Sequence, residues 1–380
     1  MLVIRAARLF DGRQMVERAT VLVDGGIVVD VGVPAPADAT VVDLGAATLL
    51  PGLVDCHQHL CFDGHGTLEQ QVTDIDDDDL RTRARECAQV ALRGGVTTLR
   101  DLGDRGYLTL GLRGDPALPT IQAAGPPITV DGGHCWYLGG ACAHPGGLRE
   151  AVADRAARGC DVVKVMVSGG YLTPTVPMWA SQFTLDELRL VVDEAHRHGL
   201  PVAAHCHGVG AISDAVDAGV DSIEHCTFFT AAGCSEPPAE LVERVAASQI
   251  PVSATVGRLP GFPLPAAVEA SLPAVRRSRR RMHELGGTVV AGTDAGIDLA
   301  KPHDVLPYAS AEFVEIGMTS VEAMRALTSV PARVLGLGDR KGRLAPGYDA
   351  DLLAVTGDPL TDPAALTATA AVWKAGRRIV

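Results

Sequence analysis

The 380-residue sequence predicts an α/β chain: a (β/α)8 TIM-type barrel with a small β-sandwich domain formed from both chain ends. Three observations predict it. From Gly52 to about Pro331 short apolar runs alternate with helical patterns, the signature of parallel strands joined by crossover helices. Eight such units suit a barrel better than an open doubly wound sheet, and no Gly-x-Gly-x-x-Gly fingerprint follows the first strand. Both flanks read as short β runs without long helices.

The strand candidates are Leu53 to His57, Val96 to Asp101, Thr120 to Ala124, Val162 to Val167, Val202 to His205, Val220 to His225, Val252 to Val256 and Thr288 to Thr293. Between them, Thr184-Leu-Asp-Glu187 and Thr319-Ser-Val-Glu322 are capping boxes that open helices, and Gly199-Leu-Pro201 closes one. In the flanks, Leu2 to Val33 and Ala39 to Leu50 carry β-like runs separated by Asp-Gly and Gly-Gly turns, and Gly342 to Val355 and Ala371 to Val380 match them. The expected division is a composite β-sandwich from 1–50 plus 338–380 and a barrel over 51–337.

Composition narrows the class of partner. A net charge of −13 disfavours nonspecific attraction to nucleic acid or anionic membrane, so a small-molecule substrate is expected, with no nucleic acid and no membrane; the pattern leaves a homo-oligomer open. Nine cysteines, an odd number without a Cys-x-x-Cys spacing, give neither a disulfide framework nor a zinc ribbon. With no signal-like leader and no uncharged apolar run long enough to span a bilayer, the expectation is a cytoplasmic protein. The acidic run Asp74 to Asp79 reads as a solvated loop or helix start.

In a barrel of this type chemistry sits at the carboxyl ends of the strands, so polar residues there are the functional candidates. His57 and His59 stand one residue apart and share a strand face with Asp55. His205, His225 and Asp294 end later strands. Lys164, in DVVKVMV, is the sharpest item, because a bare ammonium among β-branched neighbours is costly to bury. It reads either as half of a buried ion pair with an Asp or as an amine of lowered pKa, able to form a carbamate that bridges two cations.

With these residues assembled, the chain resembles the metal-dependent amidohydrolase superfamily, in the branch related to imidazolonepropionase and the metal-dependent prolidases and dipeptidases. The motifs are PGLVDCHQH, VTTLRDLG, GGH at Gly132 to His134, VVKVMVSGG, AAHCHG, VDSIEHC, AGTDAG and LAPGYDADLLAV. The resemblance implies two divalent metal ions, Zn2+ first among them. His57, His59 and Asp294 would hold one, His205 and His225 the other, with carboxylated Lys164 and a hydroxide bridging. It implies hydrolysis of an amide-type C–N bond in an N-acyl amino acid, dipeptide or related amide, Asp294 taking the proton of the nucleophile and passing it to the leaving nitrogen. His207 would bind the oxyanion or a substrate carboxylate, where dipeptidase relatives often carry tyrosine. His134 matches a pocket histidine of the related sequences and would join the catalytic set, His303 and Tyr171 would line the substrate pocket, and Trp136 and Tyr137 would either form an apolar wall of that pocket or simply pack the loop. Tyr171 to Trp179 replaces a more acidic loop of many relatives, which suits a bulkier or less cationic substrate.

Three alternatives remain at this point. A mononuclear deaminase of the same superfamily usually has a Glu soon after the fifth-strand His, which His205-Cys-His-Gly-Val-Gly-Ala lacks. Cyclic amide or lactone hydrolysis would use the same nucleophile. A noncatalytic scaffold would have lost ligands that are all present here. Arg100 and Asp101, ending the second strand, read as a structural salt bridge.

Overall fold

A computed structural model describes every residue except 17–18, 143–144, 174 and 235, and residue 174 falls within the Tyr171 to Trp179 loop. The N-terminal segment forms β1 (Leu2–Arg5), β2 (Arg8–Phe10), β3 (Met15–Val16), β4 (Thr20–Asp24), β5 (Ile27–Val31), β6 (Thr40–Asp43) and β7 (Thr48–Pro51). Eight strands follow: β8 (Leu53–Gln58), β9 (Val96–Asp101), β10 (Thr120–Ala123), β11 (Val163–Met166), β12 (Val202–Gly208), β13 (Ser222–Phe229), β14 (Val252–Thr255) and β15 (Val289–Gly292). The chain ends in β16 (Leu352–Val355), β17 (Thr369–Lys374) and β18 (Arg377–Arg378).

All pairings among β8 to β15 are parallel, in the orders β10-β9-β8 and β11-β12-β13-β14-β15. Two parallel bridges join these sheets to each other, Gln58 with Ala295 and Ile128 with Val165. This arrangement fits a TIM-type domain. The helices are α1 (Leu68–Thr73), α2 (Asp77–Arg93), α3 (Pro145–Arg158), α4 (Leu185–Arg197), α5 (Val209–Ala218), α6 (Ala239–Ser248), α7 (Ala266–Glu284), α8 (Ala309–Glu315), α9 (Ser320–Ala326) and α10 (Ser329–Val334). The apolar faces of α2 to α9 and the strands share one buried cluster, which includes Leu188, Val191, Val245, Val275 and Phe313, while α1 and α10 pack into smaller clusters of their own. Full burial stabilises roughly 1.5–3 kcal/mol per side chain of this size.

Helix starts follow local chemistry. Both capping boxes form, at Thr184 with Glu187 and Thr319 with Glu322. The acidic run becomes the start of α2: Asp76 accepts from the backbone N–H groups of Asp78 and Asp79, and Asp77 to Asp79 face the positive end of the helix dipole.

The chain ends make two sheets, β5-β4-β1-β6 and β18-β17-β16-β7-β2-β3. In the second, β7 pairs with β16 antiparallel, Leu50 opposite Leu353, so early and late segments share one sheet. A buried cluster draws on both sheets, with Ile4, Val21 and Val23 from one and Leu49, Leu352 and Trp373 from the other. An ionic knot ties this region down: Asp351 accepts from Lys341 at 2.7 Å and Lys374 at 3.0 Å, and Lys374 also reaches Thr120 Oγ1 on β10. No helix among the described residues is long and apolar enough to cross a membrane.

Candidate active site

His57 is the penultimate residue of β8 and His59 follows the strand. Asp55, expected on their face, instead clamps β8 to the end of β15. Its Oδ1 accepts from the N–H groups of His57 and Thr293, and its Oδ2 from Gln58 Nε2 and Thr293 Oγ1. Asp294 comes next in a left-handed conformation, φ 59°, and its N–H donates to His57 O at 2.7 Å. Gly292 makes room for this approach, since a Cβ there would lie 2.6 Å from His57 Cβ. The outcome is a tight triangle: His57 Nε2 lies 3.2 Å from His59 Nε2 and 3.4 Å from Asp294 Oδ1, and His59 Nε2 lies 3.2 Å from Asp294 Oδ1.

The second cluster comes from β12 and β13, where His205, His207 and His225 bring ligand atoms within 4.8 Å of one another. His225 also groups with His57 and Asp294, so the clusters are contiguous. His205 Nε2 donates to Gly169 O at 3.1 Å, leaving Nδ1 bare. Strand β13 turns left-handed at His225 (φ 68°), Cys226 (φ 52°) and Phe228 (φ 56°). Non-glycine residues in that region cost of order 1–3 kcal/mol each and gather at functional sites.

Lys164 on β11 is fully buried, and among the described residues its Nζ has no hydrogen-bond partner. The ion pair weighed from the sequence therefore does not form. Burial lowers the Lys164 pKa. Burial also pulls His57 down to about 4 and His134 and His207 to about 3, and takes His205 and His225 well below the usual range. Burial alone would raise Asp294, but His57 and His59 outweigh it and hold the carboxyl well below its usual value. His59 goes the other way: against the pull of burial, Asp294 raises it. The remaining histidines are neutral imidazoles beside an ionised carboxylate, the form in which such groups bind a metal.

The donor geometry fits a metal ion. In a tetrahedral set with bonds of about 2.0–2.1 Å, donor atoms stand roughly 3.3 Å apart, and the His57, His59 and Asp294 triangle has edges of 3.2–3.4 Å. Gly103 O accepts from His59 Nδ1, so a neutral His59 offers a bare Nε2 to this triangle. The buried Lys164 amine, without a hydrogen-bond partner among the described residues, is the second feature that fits.

Around these clusters, the His134 ring lies 4.6 Å from that of His205, tilted by 46°, with Nδ1 against Thr173 Oγ1 at 2.9 Å. Gly170 packs so close to the His134 ring that a Cβ would come within 2.3 Å. Trp136 (40 % exposed) and Tyr171 (53 % exposed) stand open to solvent, whereas Tyr137 is buried with its hydroxyl on Cys135 Sγ. Both His303 ring nitrogens lie against protein oxygens, Nδ1 3.0 Å from Gln58 Oε1 and Nε2 2.9 Å from Phe62 O, and a neutral ring can donate to one of the two. The Arg100–Asp101 pair is a correction. Arg100 donates to Glu224 Oε1 and Cys56 O, while Asp101 accepts from the N–H groups of Leu60 and Gly103, because adjacent strand residues point to opposite faces.

Two residues escaped the sequence reading. Glu224, fully buried on β13, lies 2.9 Å from His57 Nδ1, and its one signal was a carboxylate within the apolar run from Ser222 to Phe229. Lys301 donates to Thr293 O at 2.6 Å and so buttresses the turn into Asp294.

A fold of parallel strands with histidines and an aspartate gathered toward their carboxyl ends, and a buried lysine on β11, defines a class of hydrolase. The chain belongs to the amidohydrolase family, whose family model matches residues 48–379, and it is a hydrolase. It is 28% identical over 376 residues to ochratoxinase of Aspergillus niger, covering 87% of this chain and 75% of that protein. It is 30% identical over 370 residues to imidazolonepropionase of Salinispora tropica, covering 88% and 85%. Among solved structures it is similar to a Xaa-Pro dipeptidase with methionine bound in the active site, at TM-score 0.85 and 28% identity, covering 99% of each chain.

Proposed function

We propose that the chain is a binuclear metal-dependent hydrolase of amide-type C–N bonds, acting on a small molecule such as an N-acyl amino acid, dipeptide or related amide. The observation that carries this is the triangle of His57, His59 and Asp294 donor atoms with edges of 3.2–3.4 Å. In this reading β8 to β15 form a closed (β/α)8 barrel over 51–337, supported by the two joining bridges, and 1–50 plus 338–380 form the composite β-sandwich, supported by the β7 and β16 pairing.

Two divalent metal ions, zinc the expected pair, held by His57, His59 and Asp294 and by His205 and His225, with Lys164 as a carbamate between them, would supply an acidified water and a polarised scissile carbonyl. The chain's own residues do the rest. Asp294, kept ionised by His57 and His59, takes the proton from the attacking water and returns it to the leaving nitrogen. Thr227 Oγ1 lies 2.8 Å from His207 Nδ1; a hydroxyl donating there leaves the proton on Nε2, ready for the carbonyl oxygen. His134, fixed by Thr173, backs His205. Trp136 and Tyr171 offer apolar ring surface to the substrate's side chain. A cyclic amide is the second reading, favoured by the 30% identity to an imidazolonepropionase.

The test is metal content and turnover on one preparation made with zinc and bicarbonate, screened against N-acyl amino acids, dipeptides, cyclic amides and lactones. Near-stoichiometric metal and amide hydrolysis are expected, and Lys164→Ala should lose both together. Amide hydrolysis that survives exhaustive chelation would sink the reading.

A further inference from the structure

Three site histidines have their proton position dictated by an acceptor that cannot donate. His59 Nδ1 faces Gly103 O and His205 Nε2 faces Gly169 O, both neutral carbonyls. His57 differs, because its Nδ1 faces the Glu224 carboxylate, Oε2 at 2.9 Å. That carboxylate is itself held from the far side of the interior. Its Oε1 accepts from Arg100 Nη2 on β9 at 2.9 Å and from Ser222 Oγ at 2.7 Å, and Arg100 Nε is anchored on Cys56 O at 2.8 Å. Arg100, Glu224 and His57 are all buried, so little competing water reaches the chain of bonds.

We propose that Glu224 is a positioning residue that sets the tautomer of His57. It keeps the proton on Nδ1 and turns a bare Nε2 lone pair toward His59 and Asp294. The metal role of that lone pair rests on the function proposed above; the tautomer does not. A carboxylate also makes the far nitrogen of its imidazole a stronger donor than a carbonyl does, which sets His57 apart from His59 and His205. The strand register explains how Glu224 and His225, neighbours in sequence, both serve the site. The left-handed turn at His225 breaks the alternation that would otherwise send one of them outward.

The arrangement makes Glu224→Gln an unusually sharp probe. An amide carries one oxygen, and two donors, Arg100 and Ser222, compete for it at the Oε1 position. The amide NH2 is then left facing His57 Nδ1, which must accept, so the ring proton moves to Nε2 and blocks the lone pair.

The experiment reads ring-nitrogen protonation by 15N–1H NMR on metal-free protein labelled at histidine, with the His57 signals assigned from a His57→Gln sample. Wild type is expected to show the proton on Nδ1 and a bare Nε2; Glu224→Gln should show the reverse and bind zinc about 10–100-fold more weakly in chelator competition. Should Glu224→Gln fail to fold, the wild-type spectrum decides alone, since a proton on Nε2 there overturns the inference. Unchanged tautomer and zinc affinity in a folded Glu224→Gln would overturn it too. Failure of the metal reading would appear separately, as absence of zinc uptake by the wild type.

Discussion

Lys164→Met should make the metal-free protein more stable while removing its capacity to hold metal. The Lys164 side chain is fully buried and its Nζ has no partner, so the folded state carries an unsatisfied polar group that the unfolded state hydrates. Such a group costs about 1–3 kcal/mol, more when charged, and methionine fills a similar volume without it. The expected gain is therefore about 1–3 kcal/mol in urea unfolding at pH 7, after chelation and without bicarbonate. The pH dependence gives a second handle. Burial lowers the folded-state pKa of Lys164 below its usual 10.5, so between the lowered value and 10.5 the unfolded chain binds more protons. Wild-type stability contributed by this group then rises with pH through that window, whereas the variant lacks the rise. The gap should narrow toward pH 10. A variant less stable than wild type when both are metal-free, or a gap constant from pH 7 to 10, would refute the reasoning.

Burial raises Asp104 to about 6, and its Oδ1 has no partner, so folded protein binds the extra proton between pH 4 and 6 and stability falls as pH rises through that range. Asp104→Asn should gain about 1–3 kcal/mol at pH 8 and converge with wild type near pH 4 in urea titrations. Asp351→Ala leaves Lys341 and Lys374 buried without their shared carboxylate and should cost about 3–5 kcal/mol by thermal or urea melting; a loss under about 1 kcal/mol would mean that Asp349 suffices for both lysines. Gly292→Ala places a Cβ 2.4 Å from Ser253 Oγ and 2.6 Å from His57 Cβ. It should destabilise by about 1–3 kcal/mol and reduce bound metal measured by elemental analysis.

Much of this was readable in the chain because strand cores and strand ends carry local signals. β9 spans the expected Val96 to Asp101, and the strand expected over Val202 to His205 runs on to Gly208. Lys164 stood out by the cost of burying it, and the acidic run Asp74 to Asp79, read as a solvated loop or helix start, does open α2. The unread parts are those fixed by contacts between distant strands. Asp55 shares an alternation class with His57, yet its bonds to Thr293 lie 238 residues away. Arg100 finds Glu224 across 124 residues and not its neighbour Asp101. Glu224 could not be assigned a face, because the positive φ at His225 has no sequence signature in a non-glycine residue.

The pairing of β7 with β16 has a consequence for how the protein is made. Leu50 sits opposite Leu353, so at a synthesis rate of about 5–20 residues per second the partner strand leaves the ribosome roughly 15–60 s after β7 does. During that interval the apolar edge of β7, Thr48 to Pro51, has no strand beside it on the β16 side and is a template for wrong pairing. Nascent chains should therefore be most prone to aggregation and most dependent on chaperones late in synthesis, when nearly all the strands that carry the chemistry already exist.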